Sequence, residues 1–386
     1  MATNKTDKVL NVPTLRFPGF TEEWQKYSLG EYFTFKNGLN PDAKRIGRGV
    51  KFISVMDILN NNVITYSLIR DSVEATEDEI STYGVKYGDV LFQRSSETLE
   101  DVGHANVYLD DKAAVYGGFV IRGRAIKEYN PVFMKYALAS PINRKRIIVK
   151  GAGAQHFNIG QDGLSKVQVM LPDSKEQNRI AALFALLDER IALQSKLIDR
   201  LKSLMDGIRH RLFEKSTVYQ SLGNIVEIRK GKQINGSELL DDGEYPVMNG
   251  GITPSGFLNE YNTPPGTISI SEGGNSCGYV QFNATPIWSG GHCYTLHLIC
   301  GDIDYRYLYH FLKHSESEIM KLRIGSGLPN IQKKDLSKFP ITSYPISNQM
   351  KISKTLDVME ARILNGEFML QSYAKLKAYL LSVMFI

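Results

Sequence analysis

Asn158-Ile159-Gly160-Gln161-Asp162-Gly163-Leu164-Ser165-Lys166 returns later in the chain as Asn330-Ile331-Gln332-Lys333-Lys334-Asp335-Leu336-Ser337-Lys338. At the same offset, Gln177, Ile180, Arg190-Ile191, Leu204 and Phe213 return as Gln349, Ile352, Arg362-Ile363, Leu376 and Phe385. Self-similarity over such a span means one architecture built twice. Working outward, Leu29-Gly30-Glu31 matches Leu222-Gly223-Asn224, and Lys36-Asn37-Gly38 matches Arg229-Lys230-Gly231. Gly117-Gly118 matches Gly290-Gly291, and Tyr136 matches Tyr309. Between these anchors the halves diverge, as expected of two heads with alike frames and different targets.

Each half ends in a helical pattern. Ser174 with Gln177 three residues on, just after Pro172, reads as a capping box. Apolar positions then run Ile180, Phe184, Leu187, Ile191, Gln194, Ile198, Leu201, Met205, Ile208 and Leu212. Spacings of four and three define a heptad seam with one polar member. A helix over 173–213 is roughly 60 Å long and needs a partner. The partner is its repeat over 345–386, seamed by Ile352, Leu356, Met359, Ile363, Gly366, Leu370, Tyr373, Lys377, Leu380 and Met384. Lys377 interrupts that seam and is expected at a frayed or differently packed end. Short apolar stretches such as Lys51-Phe52-Ile53-Ser54-Val55 and Gly88-Asp89-Val90-Leu91-Phe92 make 21–172 strand-rich, with a helix near Val132 to Ala139. The expected layout is therefore an arm over 1–20 that docks through Arg16-Phe17-Pro18-Gly19-Phe20 and Trp24, a head over 21–172, a helix over 173–213, a head over 217–344 and a helix over 345–386. The fold class is α+β: two strand-rich heads in pseudo-twofold repeat, separated by two long helices in an antiparallel coiled coil.

With 386 residues, 42% hydrophobic and 23% charged, the chain reads as a soluble protein of two or more domains. No apolar run reaches the ~20 residues of a membrane span, and the polar start lacks a signal-peptide core. Three cysteines without CxxC spacing point to a reduced, cytoplasmic chain. A net charge of +5 permits nucleic-acid binding without demanding it.

Catalytic signatures are missing. No GxxxxGK[ST] loop, HExxH or GxSxG occurs. Asn262-Thr263-Pro264-Pro265-Gly266 has the wrong order for the Asn/Asp-Pro-Pro-aromatic motif of base-amino methyltransferases. Cys277, His292, Cys293, His297 and Cys300 lack the tight pairs of a zinc site, which favours buried thiols and packed histidines. A metal-dependent hydrolase built on that group, or a coiled-coil scaffold without DNA binding, stands as the alternative.

The order of these motifs resembles the specificity subunits of type I restriction-modification systems. The resemblance rests on Leu15-Arg16-Phe17-Pro18-Gly19-Phe20 with Trp24, on the two Leu-Gly module starts, on Gly325-Ser326-Gly327-Leu328-Pro329-Asn330-Ile331 running into Lys334-Asp335-Leu336, and on the two Gln-x-x-Ile helix starts. The first head departs from the pattern in having no proline before Asn158. The resemblance implies a non-catalytic reader of double-stranded DNA. Each head would be a target-recognition domain for one half of a bipartite gapped site, and the helices would set the spacer. The chain would recruit two modification (methyltransferase) subunits and, through them, restriction subunits. It would hold no cofactor itself: S-adenosylmethionine is expected in the modification subunit, ATP and Mg in the restriction subunit, and no membrane is involved.

Readers of base edges are Arg, Lys, Asn and Gln on loops, and phosphates are held by Lys, Arg and backbone N–H groups. In the first head these are Lys36, Asn37, Lys44, Arg45 and Arg48; Gln93, Arg94 and Ser95 after a strand; and Gln155, His156 and Asn158 in a glycine-rich loop. In the second they are Arg229, Lys230 and Lys232; Asn249; Asn275 and Ser276; and Arg323, Ser326 and Asn330. Each also has a plainer reading, since surface Lys and Arg are mostly just solvated, and Asn158 and Asn330 suit the start of the turns that follow them.

Overall fold

The computed structural model describes residues 10–153, 155–214, 218–325, 327 and 329–386. They form two compact units, Met1–Gln194 with Met369–Ile386, and Ser195–Phe368.

In the first unit, strands β1 (Phe33–Asn37), β2 (Val90–Gln93), β3 (Ala105–Val107) and β4 (Val120–Ala125) make an antiparallel sheet of order β1-β4-β2-β3. All four residues of β2 are buried, as a central strand covered on both faces requires, whereas β1 at the edge alternates Phe33 inward and Thr34 outward. A smaller sheet joins Ile46–Ile53 to Asp71–Val73 (antiparallel) and to Val115–Tyr116 (parallel). Helix α1 (Pro131–Ala139) starts with proline at its first turn and with the Asn130 side chain accepting Phe133 N–H at 2.9 Å. The head closes where Gln25–Ser28 pairs with Gln168–Leu171.

Helix α2 (Ser174–Phe213) leaves from there. Its cap is Asp173, whose carboxylate accepts Glu176 N–H at 2.8 Å. The Ser174–Gln177 capping box is therefore corrected: Ser174 is already the first helical residue, and the Gln177 side chain reaches back out of the helix.

The second head repeats the frame. Strands β5 (Val226–Lys230), β6 (Thr267–Ser271), β7 (Val280–Asn283) and β8 (Cys293–Leu298) have the order β5-β8-β6-β7, the order of the first sheet. Tyr245–Met248 again pairs antiparallel with one strand, Phe257–Leu258, and parallel with another, Trp288–Ser289. Helix α3 (Tyr305–His314) is capped by Asp304 on Tyr307 N–H at 2.8 Å, Val218–Ser221 pairs with Pro340–Ser343, and α4 (Ile346–Val383) follows. The repeated glycines have a steric cause. A Cβ on Gly38 would sit 2.1 Å from Gly117 O, and one on Gly231 2.2 Å from Gly290 O. No side chain fits where these two loops cross.

Within each unit the long helices run antiparallel. In the first, Phe184 of α2 packs on Phe385, just beyond α4, at 5.9 Å, while Asp188 pairs with Lys377 at 2.5 Å. In the second, Lys202 pairs with Glu367 at 2.6 Å, and farther along α2 the Leu212 carbonyl accepts the hydroxyl of Tyr344, just before α4. Seam positions Ile180, Phe184, Ile198, Met205, Leu356, Ile363, Leu380 and Met384 are buried. Of the two expectations for Lys377, different packing holds and fraying does not. It is anchored on Asp188 and lies over the Tyr136 ring.

The repeated phenylalanines close the two cores. Phe385 packs on Trp24, Phe133 and Phe184, and Phe213 packs on Tyr307 and Phe311. The arm docks beside the first of these. Arg16 pairs with the buried Glu176 at 2.7 Å, Trp24 donates to the same carboxylate at 3.1 Å, and Leu15 N–H bonds Val383 O at 2.9 Å.

Candidate nucleic-acid interface

Each head has a cavity at one place in the repeated frame, between the start of β4 or β8, the end of β2 or β6, and the residues after the central strand of the small sheet. In the first head it measures about 450 Å³ and is lined by Leu39, Asn40, Pro41, Ile46, Phe52, Ser54, Val55, Met56, Ser95, Gly117, Gly118, Phe119 and Val120. In the second it measures about 610 Å³ and is lined by Lys230, Asn249, Gly250, Gly251, Ser255, Glu272, Gly273, Gly274, Asn275, Ser276, His292, Pro329 and Asn330. The first lining is largely apolar, whereas the side chains of the second are mostly polar and are interspersed with four glycines and a proline. Phe119, 68% exposed, occupies in the first head the position of His292 in the second.

The second cavity gathers Lys230, Asn249, Asn275, Ser276 and Asn330, five of the residues expected to read DNA, from four separate segments. Lys230 donates to Glu272 at 2.7 Å, and Asn249 accepts His292 N–H at 3.0 Å. Asn330 accepts the Gln332 side chain at 2.9 Å, and its main chain exchanges two hydrogen bonds with Ile324. Asn275, Lys232 and Arg323 are exposed. Arg229 is exposed and turned onto Glu227 at 2.6 Å. Ser326 lies outside the described residues.

The first head distributes its polar residues differently. Lys36 and Lys44 are exposed, Lys36 5.4 Å from the centre of the Tyr83 ring. Arg48 is exposed but meets Glu74 at 2.6 Å. Arg45 is bound to the Glu79 carboxylate and, through Nε at 2.8 Å, to Glu74 O. That pairing raises the guanidinium's pKa and lowers that of Glu79. Arg45 therefore holds a loop to a helix. Gln93 is buried, with its amide donating to Ser95 O at 2.9 Å. It is placed to shape the turn rather than to touch a base. Asn37 is half-buried, and Arg94 reaches Gly118 O at 3.2 Å. Ser95 hydrogen-bonds Asn158, while Gln155 and His156 are exposed on the loop closed by two main-chain bonds between Ala152 and Asn158. The second head's loop is closed in the same way between Ile324 and Asn330, so proline is not needed for that shape.

Sequence reasoning missed Glu272 and Tyr294, and His292, expected as a packed histidine, is 58% exposed at the cavity. Glu272 takes Lys230 and the Tyr294 hydroxyl, 3.0 Å away, on one oxygen. Burial, and then the bond to Glu272, hold the Tyr294 hydroxyl far above its ordinary pKa, so it stays a donor. No local pattern marks these residues, because the carboxylate is brought to the cavity by strand pairing.

The Cys/His group forms no cluster among the described residues. Cys277 and Cys293 are buried thiols whose pKa values are raised by burial. The one grouping of metal-ligand type among the described residues is His310, Asp357 and Glu360, and Arg306 already bridges both carboxylates.

The family model of the type I restriction modification DNA specificity domain matches residues 21–203 and again 215–367. A putative type I specificity subunit of Mycoplasma pneumoniae is 38% identical over 146 residues, covering 37% of this chain and 39% of that protein. One from Mycoplasma genitalium is 28% identical over 203 residues, covering 48% of this chain and 52% of that protein. The specificity subunit of the Escherichia coli type I restriction enzyme EcoKI is 27% identical over 212 residues, covering 50% and 45%. The matched stretches thus span roughly four-tenths to half the length of these relatives. The fold is that of the crystal structure of a type I restriction-modification S subunit from M. genitalium, with TM-score 0.72, 20% identity, and coverage of 97% of this chain and 99% of that one. With both heads and much of both helices matched, the chain belongs to the type I restriction modification DNA specificity family.

Proposed function

We propose that the chain is the DNA sequence-specificity subunit of a type I restriction-modification complex, with no catalysis of its own. Each head reads one half of a bipartite gapped site, and α2 and α4 set the spacer. The chain recruits two modification subunits and, through them, restriction subunits. S-adenosylmethionine belongs to the modification subunits, and ATP with Mg to the restriction subunits. The observation that carries this reading is the pair of cavities at one place in a repeated frame, one lined mainly by apolar side chains and the other mainly by polar side chains and glycines. A constant frame with unlike linings suits a protein that reads two different half-sites. Exposed Lys36, Lys44, Lys232 and Arg323 supply phosphate contacts around them. Exposed apolar side chains on the helices, among them Leu186, Leu193, Leu197, Leu204, Leu364 and Phe368, support docking of partner subunits. The work is cytoplasmic, and no described helix is long and apolar enough to cross a membrane.

The test is methylome sequencing of cells carrying the cognate modification subunit, with and without this chain. Methylation in one bipartite gapped motif, present only with the chain, is the expected result. Methylation unchanged without the chain would remove it from target choice. No motif at all, with an active partner, would favour a scaffold.

A further inference from the structure

The floor of the second cavity holds a hydrogen-bond acceptor without a donor. Glu272 is 8% exposed. Its Oε1 accepts from Lys230 and Tyr294, while its Oε2 is buried and has no hydrogen-bond partner among the described residues. Nδ1 of His292 lies 3.8 Å from Oε2, on a ring 58% exposed. A buried carboxylate oxygen left unmatched is costly, so it calls for a partner from outside the described residues, and a bound ligand is one that supplies it. An exposed ring such as this turns on a picosecond to nanosecond timescale.

The repeat adds an independent observation. Ile331 N–H bonds the main-chain oxygen of Glu272 at 2.8 Å, and Ile159 N–H bonds that of Arg94 at 3.0 Å. Glu272 and Arg94 therefore hold the same place in the two heads, at the end of the buried strand that enters each cavity. One head carries a pure acceptor there and the other a pure donor.

Resting on the proposed function, we infer that Glu272 is a specificity-determining residue of the second head. Its free oxygen accepts a hydrogen bond from the exocyclic amino group of a base, N4 of cytosine or N6 of adenine, once the His292 ring swings aside. Thymine and guanine present a carbonyl oxygen at that edge and are rejected by the carboxylate. Arg94 at the matching place favours carbonyl-bearing bases in the other half-site.

Glu272→Gln tests this without removing the partners of Lys230 and Tyr294. The retained carbonyl accepts from both, and the free oxygen becomes an NH₂ donor. The complex with the modification subunit is assayed for binding to a gapped site randomised in each half. Wild type should prefer cytosine or adenine at one position of one half-site by about tenfold, the lower range of a good base contact. The variant should shift that position toward thymine or guanine and leave the other half-site unchanged. A variant with unaltered preference at every position overturns the inference while the gapped specificity itself stands. Absence of any gapped site in wild type defeats the underlying reading instead. A second measurement needs no variant. Each cytosine or adenine of that half-site, the methylated base apart, is replaced in turn by 2-pyrimidinone or purine, which lack the amino group. One position should lose about tenfold in wild-type affinity, and no loss at any position sinks the inference even if Glu272→Gln fails to fold.

Discussion

The amide oxygen of Gln177, in the first turn of α2, accepts the main-chain N–H of Asn130 at 3.0 Å, while its NH₂ donates to Pro172 O at 3.0 Å. Gln349 does the same in the second head, taking Asp304 N–H at 2.9 Å and donating to Asp302 O and Tyr344 O. Asn130 and Asp304 are the caps of α1 and α3, so one amide ties the start of a head helix to the start of a long helix.

Replacing either glutamine by leucine strands a cap N–H and a carbonyl at a buried joint, which costs about 1–3 kcal/mol per unsatisfied group. The expected outcome is a lowered thermal midpoint for Gln177→Leu and for Gln349→Leu, with glutamate a poor substitute because it lacks the NH₂ donor. An unchanged midpoint in both variants would show that the joint is held by packing alone.

Asp188 anchors the first head on the helices. Lys135 and Lys377 meet its carboxylate, as does the Tyr136 hydroxyl. Burial pushes the Lys135 ammonium from 10.5 down to about 8, against the pull of Asp188. Between pH 8 and 10.5 the unfolded chain binds more protons at this site than the folded one, so stability rises with pH across that window. Urea midpoints of wild type and Lys135→Met should therefore move apart in favour of wild type from pH 8 to pH 10.5. A constant gap would mean that Lys135 keeps its ordinary pKa. Asp188→Ala leaves two ammonium groups without their carboxylate and should cost about 3–5 kcal/mol at neutral pH.

The phosphate contacts are tested by salt. Lys36→Ala and Lys232→Ala each remove an exposed cation. Each should weaken binding of the complex evenly across sequences and reduce the slope of log affinity against log salt by about one. Arg45→Ala should leave that slope alone and instead destabilise the first head, because its guanidinium is spent on Glu79 and Glu74 O. A slope change in Arg45→Ala would return that residue to the interface.

What the amino-acid sequence disclosed follows the range of the forces involved. The seam of α2 and α4 is periodic and local, so its buried positions were legible from Ile180 to Met384. The paired glycines were legible as a repeat, yet their cause, two loops crossing at Gly38 and Gly117, appears only in space. Lys377 looked like a flaw because its partner Asp188 lies on the other long helix, and Arg45 looked free because Glu79 lies 34 residues further along the chain. Glu272 was invisible for the same reason. Acidic residues repel phosphate, and only the strand order brings this one beneath Asn249 and Asn275 with an oxygen unused.

Exchange of the second head follows from the closure of each frame on itself. That head begins and ends at one joint, where Val218–Ser221 pairs with Pro340–Ser343, and its own sheet and small sheet lie between. Replacing 217–344 by the equivalent segment of another specificity subunit cuts the chain where α2 ends and α4 begins. The graft needs its counterparts of Asp304 and Tyr307 to meet the retained Gln349 and Phe213, because these contacts hold the head to the helices. Methylome sequencing of cells expressing the hybrid should then show one half-site replaced, with the other half-site as before. If both halves changed, the heads would not read independently, and the unlike linings of the two cavities would need another explanation.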